Sequence, residues 1–149
     1  MSKHAEAELI LKLYDLRREE TMRKARDWYF REFNPQTMAD VNAALFGPHS
    51  GYVRMVWTYW DMAAALVNHG AIGLDFFNDT NGEHIGVFCK VDHLLPEIRA
   101  AMAPQFMLNL EKLIDETPKG RERVAIMKDR MKQITAQLAA QQAQAAGRG

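Results

Sequence analysis

The sequence has a single cysteine, Cys89, among 149 residues. That excludes an intramolecular disulfide, and it excludes zinc fingers and iron–sulfur clusters held by several thiolates. Five prolines and nine glycines are too few for a fibrous or loop-rich protein. There is no surplus of one charge: 19 Lys plus Arg balance 19 Asp plus Glu, for a formal net charge of zero. Overall charge therefore supplies no broad pull toward nucleic acid or anionic lipid. No window reaches the roughly 18 uncharged apolar residues of a membrane span. The longest uncharged stretch worth testing, Met62 to Leu74, is interrupted by Asn68, His69 and two glycines. The N-terminal MSKHAEAELILKL lacks the pattern of a signal peptide, because charge follows its short apolar stretch at once. With one thiol and no need of an oxidising compartment, a cytoplasmic location is expected.

Recognisable chemistry is also scarce. There is no G-x-x-x-x-G-K-[ST], no G-x-G-x-x-G and no H-E-x-x-H, so no cofactor is expected. The five histidines, His4, His49, His69, His84 and His93, include no i,i+4 pair suited to zinc on a helix. His69 near a helix C-terminus is explained by the helix dipole. Asn78-Asp79-Thr80-Asn81-Gly82 resembles a calcium loop only in composition. With Gly82 as the sixth position, Phe77 and Phe88 would occupy the first and twelfth ligand positions, and neither can bind calcium. No metal site is expected. Ser50 lacks a G-x-S-x-G context and Cys89 has no evident base, so no catalytic residue is assigned.

What the sequence does have is apolar spacing of helical period almost throughout, with little strand-like alternation. Forty-eight per cent of the residues are hydrophobic and 26% charged, as in a soluble globular protein. The pattern predicts an all-α fold, an irregular bundle of five to seven helices with a long N-terminal helix and an amphipathic C-terminal helix. The first helix is placed at about 4–33. Leu9, Leu13 and Leu16 form an early stripe and Met22, Ala25, Tyr29 and Phe33 a later one, so the buried face rotates or the helix bends between them. Asn34-Pro35 ends it. Thr37 caps a short helix to about Phe46, with Asp40 as its acidic capping partner. Gly47 to Gly51 is a turn.

The helix from about Tyr52 to His69 is apolar nearly all round, with Arg54, Thr58, Asp61 and Asn68 on one narrow polar stripe, and is expected at the centre of the core. Gly70 stops it. A short helical piece or turn is expected at 73–78, and Thr80 with Glu83 is expected to form a capping box for a helix from about Gly82 to His93. Pro96 suits a helix first turn, while Pro104 and Thr117-Pro118 break the following pattern. The division expected is a bundle domain, 1–117, and an amphipathic C-terminal helix with a low-complexity tail, 118–149.

The last helix, about 118–145, carries Val124, Met127, Met131, Ile134 and Leu138 at 3-4-3-4 spacing, a heptad seam of about two heptads. Such a seam packs on its own bundle or pairs with a second copy or another protein. Met127 and Met131 suit an adaptable contact surface. Its flanks are basic, and Arg121, Arg123 and Lys128 are expected at the rim of a contact. The expected function is a non-enzymatic interaction or regulatory protein that docks by a helix face, as a homo-oligomer or as part of a larger assembly. Two alternatives stand beside it. One is a ligand or enzymatic pocket near Trp60, Asp61, Arg99 and Glu111. The other is nucleic-acid binding through the basic helices, disfavoured because acidic residues interleave in the first helix and no DNA-binding motif is present.

Three segments carry a family resemblance: RKARDWYFREF from Arg23 to Phe33, VWTYWDMAAALVNHGAIGLDFFND, and LLPEIRAAMAPQFMLNLEKLI. Together they resemble a bacterial helical family of unknown function over roughly residues 17–115. Its pattern is an aromatic-basic first helix, a core helix ending in Gly before Ile-x-Leu-Asp, and a late Arg, Pro-x-Phe, Glu-x-Leu series. Here the late series is Arg99, Pro104-Gln105-Phe106 and Glu111-Lys112-Leu113. The resemblance implies a helical fold and no established activity, so it assigns no catalytic residues. Some members carry an N-terminal membrane anchor, which this sequence does not show.

Overall fold

The computed structural model describes residues 2–148, which form nine α-helices and one 3-10 turn, with no strand among the described residues. The helices are α1 (Lys3–Arg17), α2 (Glu20–Arg31), α3 (Met38–Leu45), α4 (Ser50–Asn68), α5 (Leu74–Thr80), α6 (Glu83–Cys89), α7 (Leu95–Ala101), α8 (Leu108–Glu116) and α9 (Gly120–Gly147). The 3-10 turn is Asp92–Leu94. The all-helical expectation holds, but nine helices exceed the five to seven expected.

The long N-terminal helix is two helices. Glu19 leaves the helical region (φ −57°, ψ 143°), and its carboxylate accepts hydrogen bonds from the N–H groups of Thr21 and Met22, capping α2. The change of stripe is the sequence trace of this break, and it changes the buried set. Ile10 and Leu13 are buried in α1, whereas Leu16 is exposed. Tyr59 on α4 donates its hydroxyl hydrogen to the Leu13 carbonyl, and the Glu6 carboxylate accepts from the Gly73 N–H at 2.6 Å, so α1 is pinned at both ends.

Helix α4 is the core element, packed against α2 on one side and α8 on the other. Val53, Val56, Trp57, Trp60, Ala63 and Ala64 are buried along it. Burying each large side chain of this kind contributes about 1.5–3 kcal/mol. A hydrogen-bonded line crosses the core: Trp57 Nε1 donates to the Tyr29 hydroxyl at 3.2 Å, which donates to the Val87 carbonyl at 2.8 Å. It joins α4, α2 and α6 while leaving no polar end of either ring unpaired. Gly70 takes φ +85° at the end of α4, the left-handed stop that the sequence predicts. The Asp40 carboxylate accepts from the N–H groups of Gln36 and Thr37, as expected for the start of α3.

Other boundaries differ from expectation. Thr80 and Glu83 form no capping box. The Thr80 hydroxyl donates back to the carbonyls of Phe76 and Phe77, and Glu83 turns to Arg26. The predicted helix from Gly82 to His93 ends at Cys89 and continues as the 3-10 turn. Lys119 adopts φ +56° before α9, and Gly120 follows in a crowded turn where a Cβ would lie 1.9 Å from the Ile114 carbonyl oxygen. Only glycine fits there, and this turn sets the direction in which α9 leaves the bundle.

Candidate functional site

The predicted seam of α9 is divided by depth. Val124 is a core residue, 4% exposed, and its carbonyl accepts from the Cys89 thiol. Met127 and Met131 are half-buried against the core. Ile134 and Leu138 are 55% and 47% exposed. Helix α9 therefore packs on α6 and α8 through its first turns and then runs on without a cover.

Opposite that uncovered half lies a second apolar wall. Phe30 near the end of α2 and Ile85 and Gly86 on α6 face Met127, Met131, Ile134 and Leu138 across an open groove of about 940 Å³. One wall of the groove is formed where α2 meets α6. There a Cβ on Gly86 would sit 3.0 Å from Phe30 Cε1, so the absence of a side chain lets the two helices close. A second hollow, about 410 Å³, shares Arg31, Leu138 and Gln142 with the first and is lined also by Trp28, His49 and Tyr52 and by the charged Lys24, Asp27 and Glu32. Trp28 and His49 stack there with ring centroids 5.0 Å apart.

The groove is bordered mainly by cations: Arg31, Lys90, Arg123 and Arg130, with Glu83 the one carboxylate in its lining. Glu83 is already engaged. Arg26 grips it with three hydrogen bonds of 2.7–3.0 Å, and Trp60 Nε1 donates to it at 3.2 Å. Arg31 pairs with Asp27 at 2.7 Å. Lys90 is buried to its tip, where Nζ donates to the carbonyls of Phe30 and Phe33 and to Asn34 Oδ1. It thus closes the C-terminal end of α2 with a positive charge, the favourable sign at that end. Burial lowers its pKa to about 8, which leaves it a cation at neutral pH.

The other residues singled out from the sequence are placed as follows. Arg123 borders the groove. Arg121 faces α8, where it pairs with Asp115 at 2.6 Å and Glu111 at 3.1 Å. Lys128 pairs with Asp92 at 2.6 Å. Arg99 and Glu111 come together at 3.0 Å, with Arg99 Nε donating to the Phe106 carbonyl. Asp61 takes a different role. Its carboxylate accepts from the Leu110 N–H at 3.0 Å and from the Asn109 side chain, capping α8 from a neighbouring helix. Trp60 points instead to Glu83. The four residues are thus divided among three hydrogen-bonded groups, and none of the three that carry charge lines the groove.

Phe30, Ile85, Gly86, Lys90, Ile126 and Arg130 complete the groove and were not singled out from the sequence as site residues. Arg130 was legible in principle, seven residues after Arg123 on the same face of α9. The wall from α2 and α6 was not, because it depends on a contact between segments more than fifty residues apart.

His84 lies behind this region, fully buried between Trp60 and Phe77, with ring centroids at 5.8 and 5.0 Å. Neither ring nitrogen has a hydrogen-bond partner among the described residues. Desolvation, with Arg123 and Arg17 adding repulsion, lowers its pKa to about 4. Burial likewise pushes the Cys89 thiol up to about 12, making it a poor nucleophile. No group of three or more His, Cys, Asp or Glu suited to a metal ion occurs among the described residues. No helix among them is long and apolar enough to cross a membrane.

The bundle thus leaves the distal half of its longest described helix, α9, uncovered beside an apolar wall. The chain matches the family described as a domain of unknown function, DUF4760, over residues 3–117, and belongs to that family. No match was found among curated proteins or solved structures. The matched region ends at Thr117, so the groove forms where the family domain meets a helix lying beyond it.

Proposed function

We propose that this protein is a non-enzymatic interaction module that engages a protein partner through the groove between α2, α6 and α9. The observation that carries the reading is the exposure of Ile134 and Leu138 opposite Phe30 and Ile85. A contiguous apolar strip left open between two helical walls gains free energy when a third helix covers it, at about 25 cal/mol per Å² removed from water. Three helices packed side by side are the ordinary geometry of helix-in-groove recognition. The half-buried Met127 and Met131 supply adaptable side chains at its floor. A cytoplasmic setting goes with this reading, since a chain with one thiol needs no oxidising compartment.

Site-specific photo-cross-linking in the native host tests it. A benzoylphenylalanine at Ile134 or Leu138 is expected to give discrete adducts of higher mass. The same probe at Gln141, outside the groove lining, is expected to give none. Equal adducts from all three positions, or none from any, would reject the reading.

A further inference from the structure

We propose that the groove's occupant is an acidic amphipathic helix of a partner protein, one that carries Asp or Glu along the edges of an apolar stripe. This rests on the docking reading above and adds the chemistry of the partner.

The argument is charge complementarity. Of the ionisable residues around the groove, Glu83 is satisfied by Arg26 and Arg31 by Asp27. Arg123 and Arg130 form no ion pair among the described residues, and Lys90 is bonded only to neutral oxygens. Two exposed positive charges without counter-charges, Arg123 and Arg130, therefore border one apolar strip, with the buried Lys90 ammonium beside it, in a chain whose total charge is zero. The strip from Ile126 to Leu138 spans thirteen residues of α9, or about 18 Å at the helical rise, enough for about three turns of a partner helix.

Two apolar segments of a second copy, the distal part of α9 and helix α1, match this rim poorly. The uncovered end of α9, residues 132–148, contains Lys132 and Arg148 and no Asp or Glu. Helix α1 exposes Leu11 and Tyr14, but mixes Glu8 and Asp15 with Lys12, Arg17 and Arg18, whose two guanidinium groups lie over the Tyr14 ring. Neither offers a net negative edge. A nucleic-acid backbone would meet the cations but leave the apolar floor open to water, whereas an acidic amphipathic helix satisfies both.

Fluorescence anisotropy with the full chain and three labelled 18-residue helical peptides is the test. All three share one apolar stripe; their flanks are Glu, Gln or Lys. The Glu peptide is expected to bind best and to weaken with added salt. The double change Arg123→Glu with Arg130→Glu is expected to weaken it by about tenfold or more and to favour the Lys peptide instead. Leu138→Asp, at an exposed site that leaves the core intact, is expected to weaken all three. Equal binding of the Glu and Gln peptides, both lost with Leu138→Asp, would overturn the acidic partner while leaving the groove as a docking site. Binding that ignores Leu138→Asp, or no binding at all, would overturn both. Light scattering that shows a dimer dissolved by Leu138→Asp would make the occupant a second copy and overturn the proposal.

Discussion

Arg26 on α2 grips Glu83 at the first turn of α6, with Nη2 2.7 Å from Oε1 and Nε 2.8 Å from Oε2. The pair is mostly buried, at 26% and 19% side-chain exposure, and holds together the two helices that wall the groove. A two-pronged pair of this kind is stronger than a surface ion pair. Arg26→Met is expected to destabilise the fold by about 1–3 kcal/mol, because Glu83 is left with Trp60 as its only side-chain donor. Glu83→Gln is expected to cost less, and the double mutant less than the sum. Urea denaturation of the four proteins measures this coupling, and strict additivity would show that the pair acts as two independent surface charges.

His84 makes the stability depend on pH below neutrality. Its pKa is near 4 in the fold and near 6.5 when unfolded, so the unfolded chain takes up the proton first. The stabilisation is complete above about pH 7 and is lost as pH falls from there toward 4, by about 3 kcal/mol in all. Arg123 and Arg17 are the charged groups that oppose protonation of His84. Glu83, its neighbour in sequence, is held by Arg26. His84→Leu is expected to flatten the loss of stability between pH 7 and 5. Denaturation midpoints for both proteins at several pH values check it, and an equal slope in the variant would assign the loss to other groups.

Gly120 and Gly51 provide opposite tests of the backbone. A Cβ at Gly120 meets the Ile114 carbonyl at 1.9 Å, while at Gly51, in the first turn of α4, nothing lies within 4 Å. Gly120→Ala is expected to destabilise by about 2 kcal/mol or more. Gly51→Ala is expected to stabilise by about 0.5 kcal/mol, through loss of freedom in the unfolded chain. Thermal melts distinguish them, and a neutral Gly120→Ala would mean that the α8–α9 turn opens readily.

Much of the helical order was legible because its signals are local. Gly70, Pro96, and Thr37 with Asp40 each end or start a helix through groups within a few residues of one another. The break at Glu19 was legible only as a shift of stripe. No proline or glycine marks it, and the cap is a glutamate side chain that folds onto its own following N–H groups. Thr80 and Glu83 misled because their spacing fits a capping box, yet a distant arginine competes better for the carboxylate. Asp61, next to Trp60 on the polar stripe of α4, offered itself for a pocket only as an alternative reading. Its partner, the Leu110 N–H, lies 49 residues away, and only the packing of α4 on α8 brings it there. The α9 side of the groove was written in its heptad spacing, whereas the wall of Phe30, Ile85 and Gly86 emerges only from tertiary packing.

The two ends of the α9 seam give a final, separable test. Val124 fills a place in the core beside Cys89, whereas Leu138 sits nearly half exposed on the same stripe. Val124→Ala is expected to destabilise the fold by about 1–3 kcal/mol, since it leaves a cavity. Leu138→Ala is expected to change stability by no more than about 0.5 kcal/mol, since little packing is lost. Partner binding is expected to follow the reverse order, with Leu138→Ala weakening it and Val124→Ala, assayed well below its melting temperature, leaving it nearly unchanged. Equilibrium denaturation and peptide anisotropy on the same two proteins give both readings. A stability loss for Leu138→Ala equal to that of Val124→Ala would mean that the distal half of α9 is already packed in solution, closing the groove that the proposed docking requires.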